Sequence, residues 1–173
     1  MALCCAAMSS TPAPETDPLE RVLDGASLVG AEVDLRYRVL GVTVEPAADR
    51  DPRGEVDDAR LQVLCHPVSA VLSTLERRVD GATHLETFEA DQLPDVAAAF
   101  AGATLQGPVL GRPQPQPGEW GPQFSMQGRS TAPDGRRRTL TLEVATDDAR
   151  LRLFARCDTI ELRDAAGQEV APA

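Results

Sequence analysis

Apolar and polar residues alternate in several short stretches of this chain, and a period of two is typical of half-buried β-strands. The clearest stretch is TLTLEVAT at 139–146. There, Leu140, Leu142 and Val144 share one predicted inner face, while Thr141 and Glu143 face outward. The stretch therefore predicts a strand with one buried side.

The next stretch, ARLRLFARC at 149–157, follows a turn at 147–148 and alternates in the same way. Its predicted inner face consists of Leu151, Leu153, Ala155 and Cys157. Its other face carries Phe154 between two arginines. Apolar positions then change parity near Asp158, so that Ile160 and Leu162 face inward.

A similar change of parity occurs in AEVDLRYRVLGVTVEP at 31–46. The residues Val33, Leu35, Tyr37 and Val39 share one face, whereas Leu40, Val42 and Val44 carry the apolar positions afterwards. Either a β-bulge near 39–41 or a bend between two strands produces such a change.

The stretch ARLQVLCHP at 59–67 predicts a strand that Pro67 ends or kinks. Two interpretations exist for 68–79. Its residues Val68, Val71, Leu72 and Leu75 fit the spacing of an amphipathic helix. Asp80–Gly81, however, is a typical tight hairpin turn, and we favour strand–turn–strand.

Two short helices are expected. In the first, Asp17 caps a helix of about two turns that starts at Pro18. In the second, Asp91 is the predicted cap and Val96, Ala99 and Phe100 form the predicted buried stripe.

Together these elements predict a mainly β fold, an antiparallel β-sandwich or roll with two short helices, with an α+β fold as the alternative. Residues 1–16 are expected to form a disordered tail, and 17–173 one globular domain. Five prolines and four glycines at 106–122 predict an irregular loop within this domain.

The net charge of −10 changes the functional picture, because an acidic surface repels nucleic-acid phosphates and anionic membranes. All 17 basic residues are arginine, a bias typical of GC-rich, actinobacterial-like genomes. No apolar run reaches the ~18 residues of a membrane-spanning helix, and the start lacks the features of a signal peptide. We expect a cytoplasmic protein, which starts at Met1 or Met8.

Cys65 lies beside His66, one of only two histidines, and the pair invites a catalytic interpretation. Successive side chains of a strand point to opposite faces, so the two residues cannot form a nucleophile–base pair with each other. We expect Cys65 to be an inert core thiol and His66 a surface or rim residue.

The cysteines and histidines do not follow the spacing of zinc ligands, and the acidic loop ADRDPRGEVDD does not follow that of a calcium loop. A disulfide between Cys65 and Cys157 would require neighbouring strands and an oxidising compartment. The sequence predicts no metal and no cofactor, and no catalytic residue is assigned.

Three features remain as candidate binding sites. His84 and Glu86 share a face if their segment is a strand, and such a pair can act as acid and base in a cleft. Arg136, Arg137 and Arg138 could grip a carboxylate or a phosphate. Trp120, the only tryptophan, precedes Phe124 in the Pro/Gly-rich region and can anchor a partner or cover the sheet.

These features favour a non-catalytic binding or accessory protein, an adaptor or immunity-like protein that interacts with a protein partner. The alternative is a small-molecule-binding protein or enzyme with a cleft lined by His84 and Glu86. A third possibility is a structural subunit of a homo-oligomer. The partner, the ligand and the oligomeric state are left open by the sequence.

Overall fold

The computed structural model describes residues 16–54, 56–86, 88–116, 119 and 137–172, and the backbone of 124–127. These residues contain eight strands: β1 (Ser27–Asp34), β2 (Val39–Glu45), β3 (Leu61–Val79), β4 (Ala82–Glu86), β5 (Val109–Leu110), β6 (Phe124–Gln127), β7 (Arg138–Ala145) and β8 (Ala149–Asp164). They form one antiparallel sheet with the order β1–β2–β3–β8–β7–β5, and both β4 and β6 also pair with β3. The predicted mainly β, antiparallel class with short helices is confirmed.

The two longest strands, β3 and β8, form the centre of the sheet and pair from Leu61–Asp164 to Arg77–Ala149. Along its other edge, β3 pairs first with β2, then with β6 and finally with β4. The helical alternative for 68–79 is therefore wrong, and the hairpin interpretation is confirmed. Neighbours on both edges supply backbone hydrogen bonds to this segment, and its side chains from Val68 to Leu75 are buried on both faces of the sheet.

The first change of parity is a bend, because residues 35–38 form the turn between β1 and β2. The prediction that Leu35 and Tyr37 share one strand face with Val33 is wrong. Their side chains project from this turn, with exposed fractions of 48% and 66%.

The second change of parity involves β3 and β8 together. Cys65 lies opposite Ile160, whereas Val68 lies opposite Cys157, so both strands shift their inner face across the same segment. Pro67 does not end the strand. A β-bulge follows at Ser69, which has no partner of its own between the pairs formed by its two neighbours.

One face of the sheet packs against the two helices. Helix α1 (Pro18–Leu23) begins as predicted, since the Asp17 side chain accepts a hydrogen bond of 2.9 Å from the Leu19 amide. Leu19, Val22 and Leu23 are buried in the main hydrophobic core.

Helix α2 (Leu93–Ala98) packs against β1 and follows a 3₁₀ turn at Ala90–Gln92. Asp91 is not the cap, because the element begins earlier and the Glu89 amide donates to the Gln92 side chain at 2.8 Å. The predicted stripe is correct only for Phe100. The helix ends at Ala98, so its buried residues are Leu93 and Ala97, while Val96 is half-buried and Ala99 exposed.

The other face of the sheet is also covered over part of its area. Leu72 and Phe154 form a small second cluster there, and Thr141 is buried although it faces away from the main core. The predicted irregular segment 106–122 contains, within its described residues, the short strand β5, whose Val109 pairs with Thr141. Within the described part of the chain, no helix is long and apolar enough to cross a membrane.

Candidate functional site

The hairpin formed by β3 and β4 carries two of the predicted site residues. Its turn, Asp80–Gly81, has positive φ at both positions, 50° and 81°, as a type I′ turn requires. Gly81 adopts this conformation without strain, and aspartate tolerates it better than most residues. The turn therefore fixes the register in which Val79 lies opposite Ala82.

β4 pairs with β3 along one edge, and none of the other described strands pairs with its second edge. Among the described residues, this second edge is therefore free. In a hairpin with a two-residue turn, the pair beside the turn exchanges both backbone hydrogen bonds, and bonded and non-bonded pairs then alternate. The Arg78 amide fits this alternation, since it points away from β4 and donates to the Asp148 carbonyl at 2.7 Å. Thr83 and Leu85 therefore direct their N–H and C=O groups toward the free edge.

His84 and Glu86 share one face of β4, as their spacing predicts. Arg77 lies opposite His84, and its Nε contacts Glu86 Oε2 at 2.8 Å. The Glu86 carboxylate therefore binds a neighbouring arginine, while the His84 side chain is exposed.

The sequence did not single out the apolar residues of the same hairpin. Val79 and Leu85 are 50% and 44% exposed, on opposite faces. Exposed carboxylates of Asp80, Asp147 and Asp148 lie at the same end of the sheet, where the β3–β4 and β7–β8 turns meet. The only signal available in the sequence was the alternation of THLE, in which Leu85 occupies the face opposite His84.

The other predicted binding residues lie elsewhere. Arg138 is the first residue of β7, opposite Cys157, and both Arg137 and Arg138 are exposed. Trp120 and Arg136 lie outside the described residues. Phe124 begins β6, but its side chain lies outside the described part, so these three assignments stay predictions.

Cys65 and His66 point to opposite faces, as predicted. The Cys65 side chain is fully buried, whereas His66 is half-buried and its Nε2 lies 2.9 Å from Glu161 Oε1. Arg163 contacts the same carboxylate at 2.8 Å. The hydrogen bond from Arg163, reinforced by His66, lowers the pKa of Glu161.

The two core cysteines come together because β3 and β8 are neighbours. Cys65 and Cys157 are both free and fully buried, and their side chains interact. Contact with Cys157, together with burial, raises the pKa of Cys65 well above its ordinary value. A thiol of this kind stays protonated at neutral pH and is a poor nucleophile.

A cleft of about 510 Å³ lies beside α1, between 49–52 and Gly107–Pro108, and none of the predicted site residues lines it. Three of its charges are paired within the protein: Arg50 contacts Asp24, and Asp51 binds Arg53 through two hydrogen bonds of 2.7 and 2.9 Å. Arg53 lowers the pKa of Asp51. Among the residues that the structure describes, no group of three histidine, cysteine or acidic side chains is arranged to hold a metal ion.

Comparison with known proteins gives no match for this chain, whether against protein-family models, curated proteins or solved structures.

Proposed function

We propose that this chain is a non-catalytic binding protein that accepts an extended, basic segment of a protein partner along the free edge of β4. The observation that carries this proposal is the edge itself, where Thr83 and Leu85 present backbone N–H and C=O groups. A strand that joins such an edge forms main-chain hydrogen bonds with it, and these give affinity. Its side chains alternate between the two faces of the sheet, and their contacts there give specificity. Leu85 would contact the side chains of the added strand on one face of the sheet, and His84 would contact them on the other face.

The charge of the molecule supports a basic partner. The chain carries −10 overall, and Asp80 lies in the β3–β4 turn beside the proposed edge. Asp147 and Asp148 lie at the same end of the sheet, on the other side of β3, together with Arg77 and Arg78. Charges of this sign attract a basic segment and increase its rate of association. They disfavour nucleic acid and anionic membranes, which are therefore not among the proposed partners.

The proposed compartment is the cytoplasm. The free thiols Cys65 and Cys157, adjacent in the core and not joined, fit a reducing environment.

The Trp120 segment is proposed as a second contact with the same partner, because tryptophan contributes a large contact area with few rotatable bonds. If Trp120→Ala leaves the affinity for the partner unchanged, this second contact is wrong while the β4 edge stands. The alternative function, a small-molecule cleft at His84 and Glu86, receives less support because Arg77 already occupies the Glu86 carboxylate.

The edge is tested with Leu85→Lys, which removes an apolar contact and adds a positive charge where a basic strand would join. The probe is a fluorescent peptide of alternating lysine and valine, and its binding is followed by anisotropy. We expect the dissociation constant to rise at least about tenfold, through lost burial and like-charge repulsion. Amide hydrogen exchange of the wild type should also slow at Thr83 and Leu85 when the peptide is bound.

The matched control is Leu35→Lys, because Leu35 is similarly exposed but lies in the β1–β2 turn. It should bind the peptide like the wild type. Equal losses in the two variants, or unchanged exchange at Thr83 and Leu85, would show that the peptide does not join this edge.

A further inference from the structure

Strand β8 contains four arginines, and three of them have carboxylate partners. Arg150 and Arg152 each contact both Glu76 and Glu143, at 3.2–3.8 Å. Arg163 contacts Glu161. Arg156 is the exception, since none of the described residues forms an ion pair with it.

The side chain of Arg156 is nevertheless held in place. Its Nε donates a hydrogen bond of 3.1 Å to Ser69 Oγ, and this hydroxyl donates in turn to the Arg156 carbonyl at 3.1 Å. Ser69 is fully buried at the bulge of β3, which makes this anchor rigid. With Nε engaged, the two terminal nitrogens of the guanidinium remain as donors.

A second cation faces Arg156. Thr139 of β7 lies directly opposite Arg156. Arg137 comes two residues before Thr139, just ahead of the strand, and continued alternation puts it on the same side of the chain. This places Arg137 diagonally across from Arg156, a position within reach of long side chains. Burial and the charge of Arg137 both lower the pKa of Arg156, so the two cations repel each other.

The nearest acidic residue along β8, Asp158, has an interaction of its own. Two adjacent guanidiniums with no carboxylate partner among the described residues are unusual here, because the chain has 27 acidic residues for 17 basic ones. A doubly charged oxyanion between them removes the repulsion and accepts hydrogen bonds from both.

We propose that Arg156 and Arg137 bind a phosphate group, with Ser69 as the positioning residue for Arg156. The charge of a phosphomonoester near pH 7, about −1.5 to −2, matches the two guanidiniums. The bound phosphate is either the inorganic ion or the phosphate group of a small phosphomonoester. This site lies between β8 and the segment just before β7, and it does not depend on the β4 edge.

The test measures thermal unfolding and calorimetric binding in a phosphate-free buffer, with inorganic phosphate, glycerol phosphate and succinate as separate probes at equal ionic strength. Either phosphate should raise the unfolding temperature in a saturable way, whereas chloride and succinate should not. If glycerol phosphate binds more tightly, a phosphomonoester is the natural source. Stronger binding of inorganic phosphate identifies the free ion.

Arg137→Gln is the main variant, because Arg137 is exposed and its loss does not threaten folding. We expect Arg137→Gln to weaken phosphate binding at least about tenfold. Arg156→Lys keeps the positive charge but loses the paired N–H donors of the guanidinium, and it should weaken phosphate binding as well. Arg163→Gln is the matched control on the same strand and should bind normally. The proposal is overturned if phosphate acts no more strongly than succinate or chloride, or if Arg137→Gln and Arg163→Gln bind phosphate equally.

Discussion

The ends of β8 differ from its middle in how they accommodate arginine. Near the start of the strand, Arg150 and Arg152 alternate with Glu76 and Glu143 of the neighbouring strands, so that charges of opposite sign face each other across the sheet. In the middle, Arg156 faces another cation, Arg137, and its bound partner is the neutral Ser69 hydroxyl.

Phe154 separates these two regions on the same face. In the first arrangement the charges are neutralised within the protein, because each carboxylate lies 3.2–3.8 Å from nitrogens of two arginines. In the second, no carboxylate of the described residues pairs with Arg156, and this is the basis of the proposed phosphate site. We therefore assign a structural role to the paired arginines and propose a binding role for Arg156.

The largest effect is expected where the two regions meet. Phe154→Ala removes a fully buried ring packed on Leu72, and it should lower the free energy of unfolding by about 3–5 kcal/mol, since a cavity replaces it. Urea denaturation measures this change. Tyr37→Ala, at a 66% exposed position, is the control and should change it by less than about 0.5 kcal/mol. Similar losses in both variants would mean that Phe154 does not hold this face together.

A smaller effect is expected in the paired region. Glu143→Gln removes the carboxylate shared by Arg150 and Arg152, and it should cost about 1 kcal/mol of unfolding free energy at low ionic strength. The loss should shrink in about 1 M salt, where screening weakens such pairs. Glu32→Gln, an exposed residue of β1, is the matched control and should change little. A loss independent of salt would contradict the electrostatic explanation.

The contacts of Glu161 at the far end of β8 can be tested by the pH dependence of stability. The pKa of Glu161 is lowered in the folded protein, so its carboxylate stabilises the fold above the ordinary carboxyl pKa of 4.5, and this contribution is lost as the pH falls through the lowered value. Unfolding experiments between pH 6 and pH 3 (about the titration range of carboxyls) should show a shallower loss of stability for Glu161→Gln. If the stability of the wild type and that of Glu161→Gln fall in parallel with pH, the contacts of Glu161 with Arg163 and His66 do not stabilise the fold.

The smallest effect is expected for a substitution that gives Arg156 an acidic neighbour, like those of the arginines near the ends of β8. Arg137→Glu replaces a repulsive neighbour of Arg156 with an attractive one, and in phosphate-free buffer it should raise the free energy of unfolding by about 0.5 kcal/mol or less. Arg138→Glu, on the adjacent exposed position, is the control and should not do so. A lower stability for Arg137→Glu would show that the two arginines do not face each other.

Much of the local structure could be predicted from the sequence. The type I′ turn at Asp80–Gly81, the cap at Asp17 and the change of parity near Asp158 all depend on neighbouring residues, which short patterns encode. The second helix shows where such patterns fail. Val96, Ala99 and Phe100 have helical spacing, but the packing of the helix against β1 and its end at Ala98 decided which side chains are buried.

The candidate sites were less predictable. His84 and Glu86 were found by their two-residue spacing, but the spacing could not reveal that Arg77 binds Glu86 or that β4 is an edge strand. Arg156 was assigned only to the outer face of its strand. Its partner Ser69 lies in a bulge of a different strand, and no short pattern connects the two.

By itself, the sequence determined that 139–146 and 149–157 are extended and which face of each is apolar, because a strand places successive side chains on opposite sides. It also determined that Cys65 and His66 diverge. Only the tertiary structure decided which strands are neighbours, and therefore which arginines meet a carboxylate. Glu76 and Glu143 reach β8 from strands distant from each other in sequence, so the contrast between Arg152 and Arg156 exists only once the sheet has formed.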